Sequence, residues 1–177
     1  MRNYVNMTDI ISDITAQTEK QSSRAEPDRV SELALVELLF FAYRDFVSEP
    51  DAVLADYEFG RAHHRVLHFV NRHPGIRVAD LLDILRITKQ SLARVLKQLI
   101  AGKFIVQRTG ETDRRQRLLY TTDSGKALAR RLVEMQSRRI RGALAAMSAD
   151  QRSAAAEFLR GIVDADERDK VARLIGQ

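Results

Sequence analysis

The chain has 177 residues, a formal net charge of +5, and neither cysteine nor tryptophan. Without cysteine there are no disulfides, thiolate nucleophiles, cysteine zinc ligands or thiol redox sensors. No apolar run approaches the roughly 18–20 residues that span a bilayer, and Met1 to Gln21 lack the apolar block of a secretory signal, so a cytoplasmic location away from membranes is expected.

The charge is unevenly spread. Residues 74–120 hold ten Lys and Arg against four Asp and Glu, whereas residues 1–54 hold five against ten. A basic middle on an acidic body is the footprint of a polyanion-binding module. A solvated basic face would give the same totals, so the spacing of residues has to decide. Aromatic residues make up only 6% of the chain, which argues against readout of single strands by stacking.

Residues 1–26 read as a polar arm, either disordered or with one amphipathic turn at Ile10, Ile11 and Ile14. Pro27 and Asp28 form a helix start. Val30, Leu33, Val36, Leu38, Leu39, Phe40, Phe41, Phe46 and Val47 follow it. Apolar residues nearly encircle the second half of this helix, more than so short a chain can cover by itself, and that predicts a partner subunit. Glu49-Pro50-Asp51 is expected to end it. A second helix is predicted from Arg61 to Arg72, and His73-Pro74-Gly75 marks a turn.

A short extended piece at Ile76-Arg77 leads into a third helix, Val78 to Leu85. A fourth helix starts at the cap Thr88 and ends before Gly102, expected in the left-handed position. Phe104 to Arg108 and Arg117 to Thr121 have strand character and flank a loop with two consecutive arginines. A fifth helix is predicted from Thr122 to about Ala146, and Ser148-Ala149-Asp150-Gln151 is a capping box that opens a sixth.

Two short helices joined by a tight turn, then a hairpin with a basic tip, describe a winged helix-turn-helix. The fold class is therefore mainly α, with a small β-hairpin wing and a helical dimerisation region from the N- and C-terminal helices. The fourth helix divides into two faces. Leu92, Val95, Leu96 and Leu99 form a stripe at helical spacing, and Gln90, Ala93, Arg94 and Lys97 lie opposite. Gln can pair bidentately with adenine and Arg with guanine in the major groove, while Lys more often meets phosphate. Thr88, Lys89 and Ser91 sit at the N-terminal end, which points into the groove or at a phosphate. In the wing, Arg114, Arg115 and Arg117 suit the negative potential of a minor groove. Asp113 is read as an internal brace for an arginine.

These residues resemble a known family. Arg77-Val78-Ala79-Asp80-Leu81-Leu82 and Ile87 through Leu99 are similar to the helix-turn-helix of MarR-type bacterial regulators. Asp113-Arg114-Arg115, Leu118, Thr121-Thr122 and Gly125 resemble that family's wing and the start of its next helix. The resemblance implies a homodimer on a pseudo-palindromic operator in double-stranded DNA, usually a repressor, often released by a small phenolic or aromatic effector. It also implies wing arginines at Arg114 and Arg115 braced by Asp113. Arg77 departs from the pattern, since the family often has a small polar cap there.

On this reading residues 61–121 form the DNA-binding domain, and residues 27–60 and 122–177 form the dimerisation region. No cofactor, metal or enzymatic activity is expected. His63, His64, His68 and His73 cluster, with His64 and His68 at a spacing that can bind zinc, but no carboxylate lies between those two, and ordinary histidines at a helix junction are favoured. Phe40, Phe41, Tyr43, Tyr57 and Phe59 either line an effector pocket or, the favoured reading, pack the core and the dimer. Arg130, Arg131, Arg138, Arg139 and Arg141 either solvate the fifth helix or pair with the acidic N-terminal segment. Two rival functions remain at this point, a winged-helix module that binds protein and an effector-free architectural DNA binder.

Overall fold

The computed structural model describes residues 30–111 and 113–176. The polar arm and the helix start read at Pro27-Asp28 lie outside the described residues. The elements in order are α1 (Glu32–Ala55), α2 (Arg61–Arg72), β1 (Ile76–Arg77), α3 (Val78–Leu85), α4 (Lys89–Ala101), β2 (Ile105–Thr109), β3 (Arg117–Thr121), α5 (Asp123–Leu144) and α6 (Ala149–Ile162). A 3-10 turn (Ala165–Glu167) and α7 (Arg168–Ile175) close the chain. No described helix is long and apolar enough to cross a membrane.

The chain divides into two units, residues 1–42 and 43–177. The described part of the first is the N-terminal half of α1. Ser31 caps it, its hydroxyl accepting the Ala34 amide at 3.2 Å. Its Leu33 and Phe40 side chains are each 68% exposed.

The second unit holds the core. Leu54, Val66, Leu67, Leu81, Leu92, Leu99, Ile105, Leu119 and Leu132 are fully buried and come from α1 to α5 and both longer strands. Each such side chain contributes about 1.5–3 kcal/mol relative to exposure. The strands form one antiparallel sheet in the order β1-β3-β2, with Leu119 paired to Ile76 on one side and Gln107 on the other. The expected hairpin is thus a three-stranded sheet. The two-residue strand β1 has too little pattern of its own to announce that pairing.

Pro50 does not end α1, which runs on to Ala55 with Pro50 fully buried inside it. An interior proline costs about 3 kcal/mol. Burial of Val53 and Leu54 in the turn that follows is worth as much or more. Core packing here outweighs the local stop signal.

Gly102 is also placed differently from the expectation. Its backbone is right-handed (φ −73°), and the left-handed residue is Lys103 (φ 61°). Gly102 is suited by space instead, because a Cβ there would lie 3.0 Å from the Phe104 ring. α5 is anchored at its start. The Thr122 hydroxyl accepts the Gly125 amide at 3.0 Å and donates to the Lys103 carbonyl at 2.6 Å, while the Thr122 amide donates to Phe104 O at 3.0 Å.

Farther along α5, Arg138 and Arg139 pair with Glu49 of α1 at 2.7 and 3.3 Å, and Arg141 pairs with Glu134. These pairs are exposed, so each adds at most about 1 kcal/mol. The capping box forms as read, with Ser148 and Gln151 each accepting the other's amide. The 3-10 turn and α7 have no counterpart in the sequence reading, since residues 164–175 are mostly charged.

Candidate nucleic-acid interface

The fourth helix is held on three sides. At its start Thr88 accepts the Ser91 amide at 3.1 Å and donates to the Ser91 hydroxyl at 2.9 Å. Along its length Leu92, Val95, Leu96 and Leu99 are buried. Near its end Gln98 accepts from His63 Nε2 across a 3.0 Å contact. His63 Nδ1 in turn accepts the Gly60 amide at 3.1 Å. These partners assign the neutral tautomer with its proton on Nε2. The ring lies flat on Phe59, with centroids 4.6 Å apart. This link between α2 and α4 escapes a reading of the sequence, because 35 residues separate its ends.

With that face fixed, Thr88, Lys89, Gln90, Ser91, Ala93, Arg94 and Lys97 are all exposed. Two of them serve the helix first, since the Thr88 and Ser91 hydroxyls are engaged in the cap. The others offer an amide, a small side chain and three cations on one exposed part of the helix, residue types able to hydrogen-bond base edges or phosphates.

The wing is shaped by its own backbone. Gly110 donates to Gln116 O at 3.1 Å, and Gln116 donates to Asp113 O at 3.0 Å. A Cβ on Gly110 would meet Asp113 O at 2.8 Å. Asp113 Oδ1 accepts the backbone amide of Arg115 at 2.9 Å. The bracing expected of Asp113 therefore acts on the main chain at Arg115, an Asx-turn geometry, and its other oxygen lies 3.5 Å from the Gln116 amide nitrogen. Arg114 and Arg115 are exposed at the tip. Arg117 is held across the hairpin by a 3.1 Å bond to Thr109 Oγ1, and Arg108 lies over the Tyr120 ring at 5.0 Å.

Helix and wing bound a common groove. Lys89, Ala93 and Lys97 of α4, Gln107 and Arg117 of the wing strands, and apolar Leu82 and Leu96 together line a 540 Å³ cleft. A second, 330 Å³ cleft brings Asp113, Arg115 and Arg117 beside Arg77, Val78 and Ala79 at the start of α3. Gln90, Arg94 and Arg114 line neither cleft. Arg77 caps nothing with its side chain and instead pairs with Asp80 at 2.7 Å, which holds the Asp80 carboxyl below its ordinary value. The cations on such a surface can contact phosphate oxygens.

Away from this face, a 380 Å³ cavity is lined by Tyr43, Phe46, Arg61, His64, His68 and Gln136, among others. Burial pushes the His64 imidazole below its ordinary value of 6.5, and His68 adds to this, while Asp51 opposes it. His68 is likewise lowered, first by burial and then by Arg72 and His73. Both rings favour neutrality in the fold, so the unfolded chain takes up protons first as pH falls below about 6.5. Their contribution to stability is present at neutral pH and lost on acidification through the folded values. We expect a lower urea midpoint at pH 5.5 than at pH 7.5, with a flatter dependence in a His64→Gln, His68→Gln double variant. An equally steep dependence in that variant would assign the effect to other groups.

The family model of the MarR family matches residues 57–116. The HTH-type transcriptional regulator PetP of Rhodobacter capsulatus is 42% identical over 129 residues, covering 73% of this chain and 78% of that protein. Among solved structures, FabT of Streptococcus pneumoniae in complex with DNA is similar at a TM-score of 0.67 and 15% identity, covering 75% of this chain and 94% of that one. The PcaV regulator of Streptomyces coelicolor, with its natural ligand, is similar at 0.58 and 22%, covering 78% and 95%. These two likenesses, each under 25% identity, bear on the fold alone. By the family model together with the identity to PetP across most of both proteins, the chain belongs to the MarR family of winged helix-turn-helix transcriptional regulators.

Proposed function

We propose that this protein is a homodimeric, cytoplasmic repressor that reads a pseudo-palindromic operator in double-stranded DNA. The observation that carries the reading is the two-faced α4. Its apolar stripe is locked into the core while Lys89, Gln90, Ala93, Arg94 and Lys97 are exposed on its other faces, and of these Lys89, Ala93 and Lys97 line a cleft that Arg117 also lines. In this reading Gln90 and Arg94 contact base edges, Lys89 and Lys97 contact phosphates, Thr88 and Ser91 meet the backbone at the helix start, and Arg114, Arg115 and Arg117 enter the flanking minor groove, with Asp113 shaping the tip. The reading head corresponds to residues 61–121.

Dimerisation through residues 27–60 and 122–177 is supported by apolar side chains that the single chain leaves open. Leu33, Val36 and Phe40 on α1, and Phe158, Leu159 and Ile162 on α6, are each about half exposed or more. A two-fold pair of heads would meet successive major grooves about 34–36 Å apart. Relief by a small aromatic effector is supported by the 380 Å³ cavity, whose aromatic walls carry Arg61 and two histidines. No catalytic step belongs to this reading.

The salt dependence of binding tests it. Arg115→Ala is expected to weaken every duplex and to flatten the slope of log affinity against log salt by about one for each phosphate that the guanidinium no longer neutralises. An unchanged slope would show that the wing does not dock. Joint charge reversal at Arg94, Arg114 and Arg115 separates this function from a protein-binding module, for which partner capture would survive and duplex DNA would be ignored throughout.

A further inference from the structure

The turn between α3 and α4 is built on an unusual residue. Arg86 closes α3 in the left-handed conformation, with φ 50° and ψ 46°, where a side chain is strained and Gly or Asn is the ordinary choice. Its guanidinium is held from the far end of the chain. Nη1 lies 3.3 Å from Asp164 Oδ2 and Nη2 2.9 Å from Glu167 Oε1. One turn further on, Lys170 Nζ meets Asp83 Oδ2 at 2.5 Å and Glu167 Oε2 at 3.5 Å. Asp164, Arg86, Glu167, Lys170 and Asp83 thus form a line of alternating charge. Its middle members, Glu167 and Lys170, are only about one quarter exposed. A network of this kind holds geometry better than an isolated surface pair.

The same segment is tied to α6. Arg168 Nε donates to Val163 O at 3.0 Å, and Nη2 donates to Gly161 O at 2.9 Å. One side chain therefore satisfies two carbonyls at the helix end and fixes the corner at which the chain turns away. A continuous path runs from α6 through the Arg168 corner and the charge line to Arg86, three residues before Lys89.

We propose that residues 164–175 form a positioning strap for the reading head, with Glu167 and Lys170 holding the α3–α4 turn through Arg86 and Asp83. The strap sets the angle at which α4 is presented and passes the placement of α6 to it. None of these residues touches DNA in this scheme. The functional meaning rests on the proposed DNA reading of α4, while the bracing itself does not.

Glu167→Gln separates positioning from simple electrostatics, because the two predict opposite signs. Removing a negative charge from a DNA-binding protein strengthens binding to any duplex. Loosening the strap weakens binding only where the angle of α4 matters. The test uses the full-length protein, a duplex selected by the wild type from a random library, and an unrelated duplex of equal length. Glu167→Gln is expected to lower affinity for the selected duplex about three- to ten-fold, in line with the loss of one networked pair, and to leave the unrelated duplex equal or slightly tighter. Asp150→Asn, an equal charge change outside the network, is expected to leave the ratio of the two affinities unaltered.

Hydrogen exchange without DNA reads the brace directly. Glu167→Gln should speed exchange in peptides covering residues 83–90 and leave those covering residues 61–72 as in the wild type. Unaltered exchange at 83–90, or an unaltered affinity ratio, overturns the inference. Failure of the wild type to select any duplex would instead count against the DNA reading of α4, and the exchange measurement would still decide the strap.

Discussion

Gly125→Ala is expected to lower stability by about 3 kcal/mol or more, although alanine is the better helix former by about 1 kcal/mol. Gly125 lies in the first turn of α5, and a Cβ built on it would stand 2.0 Å from the Phe104 carbonyl oxygen. That oxygen is backbone, and it already accepts the Thr122 amide, so it cannot move aside without giving up the anchor between wing and helix. Overpacking alone costs about 1–3 kcal/mol, and loss of the Thr122 bonds adds to it. For a chain of this size the midpoint should fall by about 6–12 °C. Gly142→Ala is the internal control, because nothing lies within 4 Å of its would-be Cβ; there the propensity gain should emerge as a small increase. A stable Gly125→Ala protein would mean that the wing and α5 can part more easily than their hydrogen bonds imply.

The second large effect is expected at Arg94. It is exposed on α4, opposite the buried stripe. We expect Arg94→Ala to cost about 1–3 kcal/mol at each half-site and to relax base preference at one position of each, with the remaining positions unchanged. Binding profiles against single-base variants of a selected duplex would show this directly. A uniform loss on all sequences would reassign Arg94 to a phosphate, and Gln90 would become the main base contact. Folding should be untouched in either case, since the core packing does not involve this side chain.

The faces of α4 are legible in the sequence, because helical spacing converts position into direction. Leu92, Val95, Leu96 and Leu99 have to share one side, whatever they pack against. The Thr88 cap, the Ser148 box and the turn at Gly75 are legible for a similar reason, since each depends on residues within a few positions. Asp113 is half legible. It was read as a partner for an arginine side chain, whereas its carboxylate accepts the Arg115 backbone amide, because a short carboxylate in a tight loop reaches the nearby backbone most easily.

The positions at which sequence and structure differ share one cause. Pro50 signals a stop locally, yet α1 continues because Val53 and Leu54 find a core to enter. Gly102 suggests a left-handed cap, whereas the Phe104 ring dictates its use and Lys103 takes the positive φ. Strand β1 pairs with β3 across 42 or so residues, and no pattern within Ile76-Arg77 could declare that.

The winged helix between Ile76 and Thr121 was determined by the sequence itself, as were the two sides of α4 and the basic character of its wing. Those properties rest on periodicity, capping and charge, which act over one or two turns. Tertiary structure alone decided what holds that helix in place: His63 reaching Gln98 from α2, Phe104 closing on Gly125, and the charge line from Glu167 and Lys170 to the turn at Arg86. Each joins residues about twenty or more positions apart, and such pairs meet only after the intervening chain has folded around a common core.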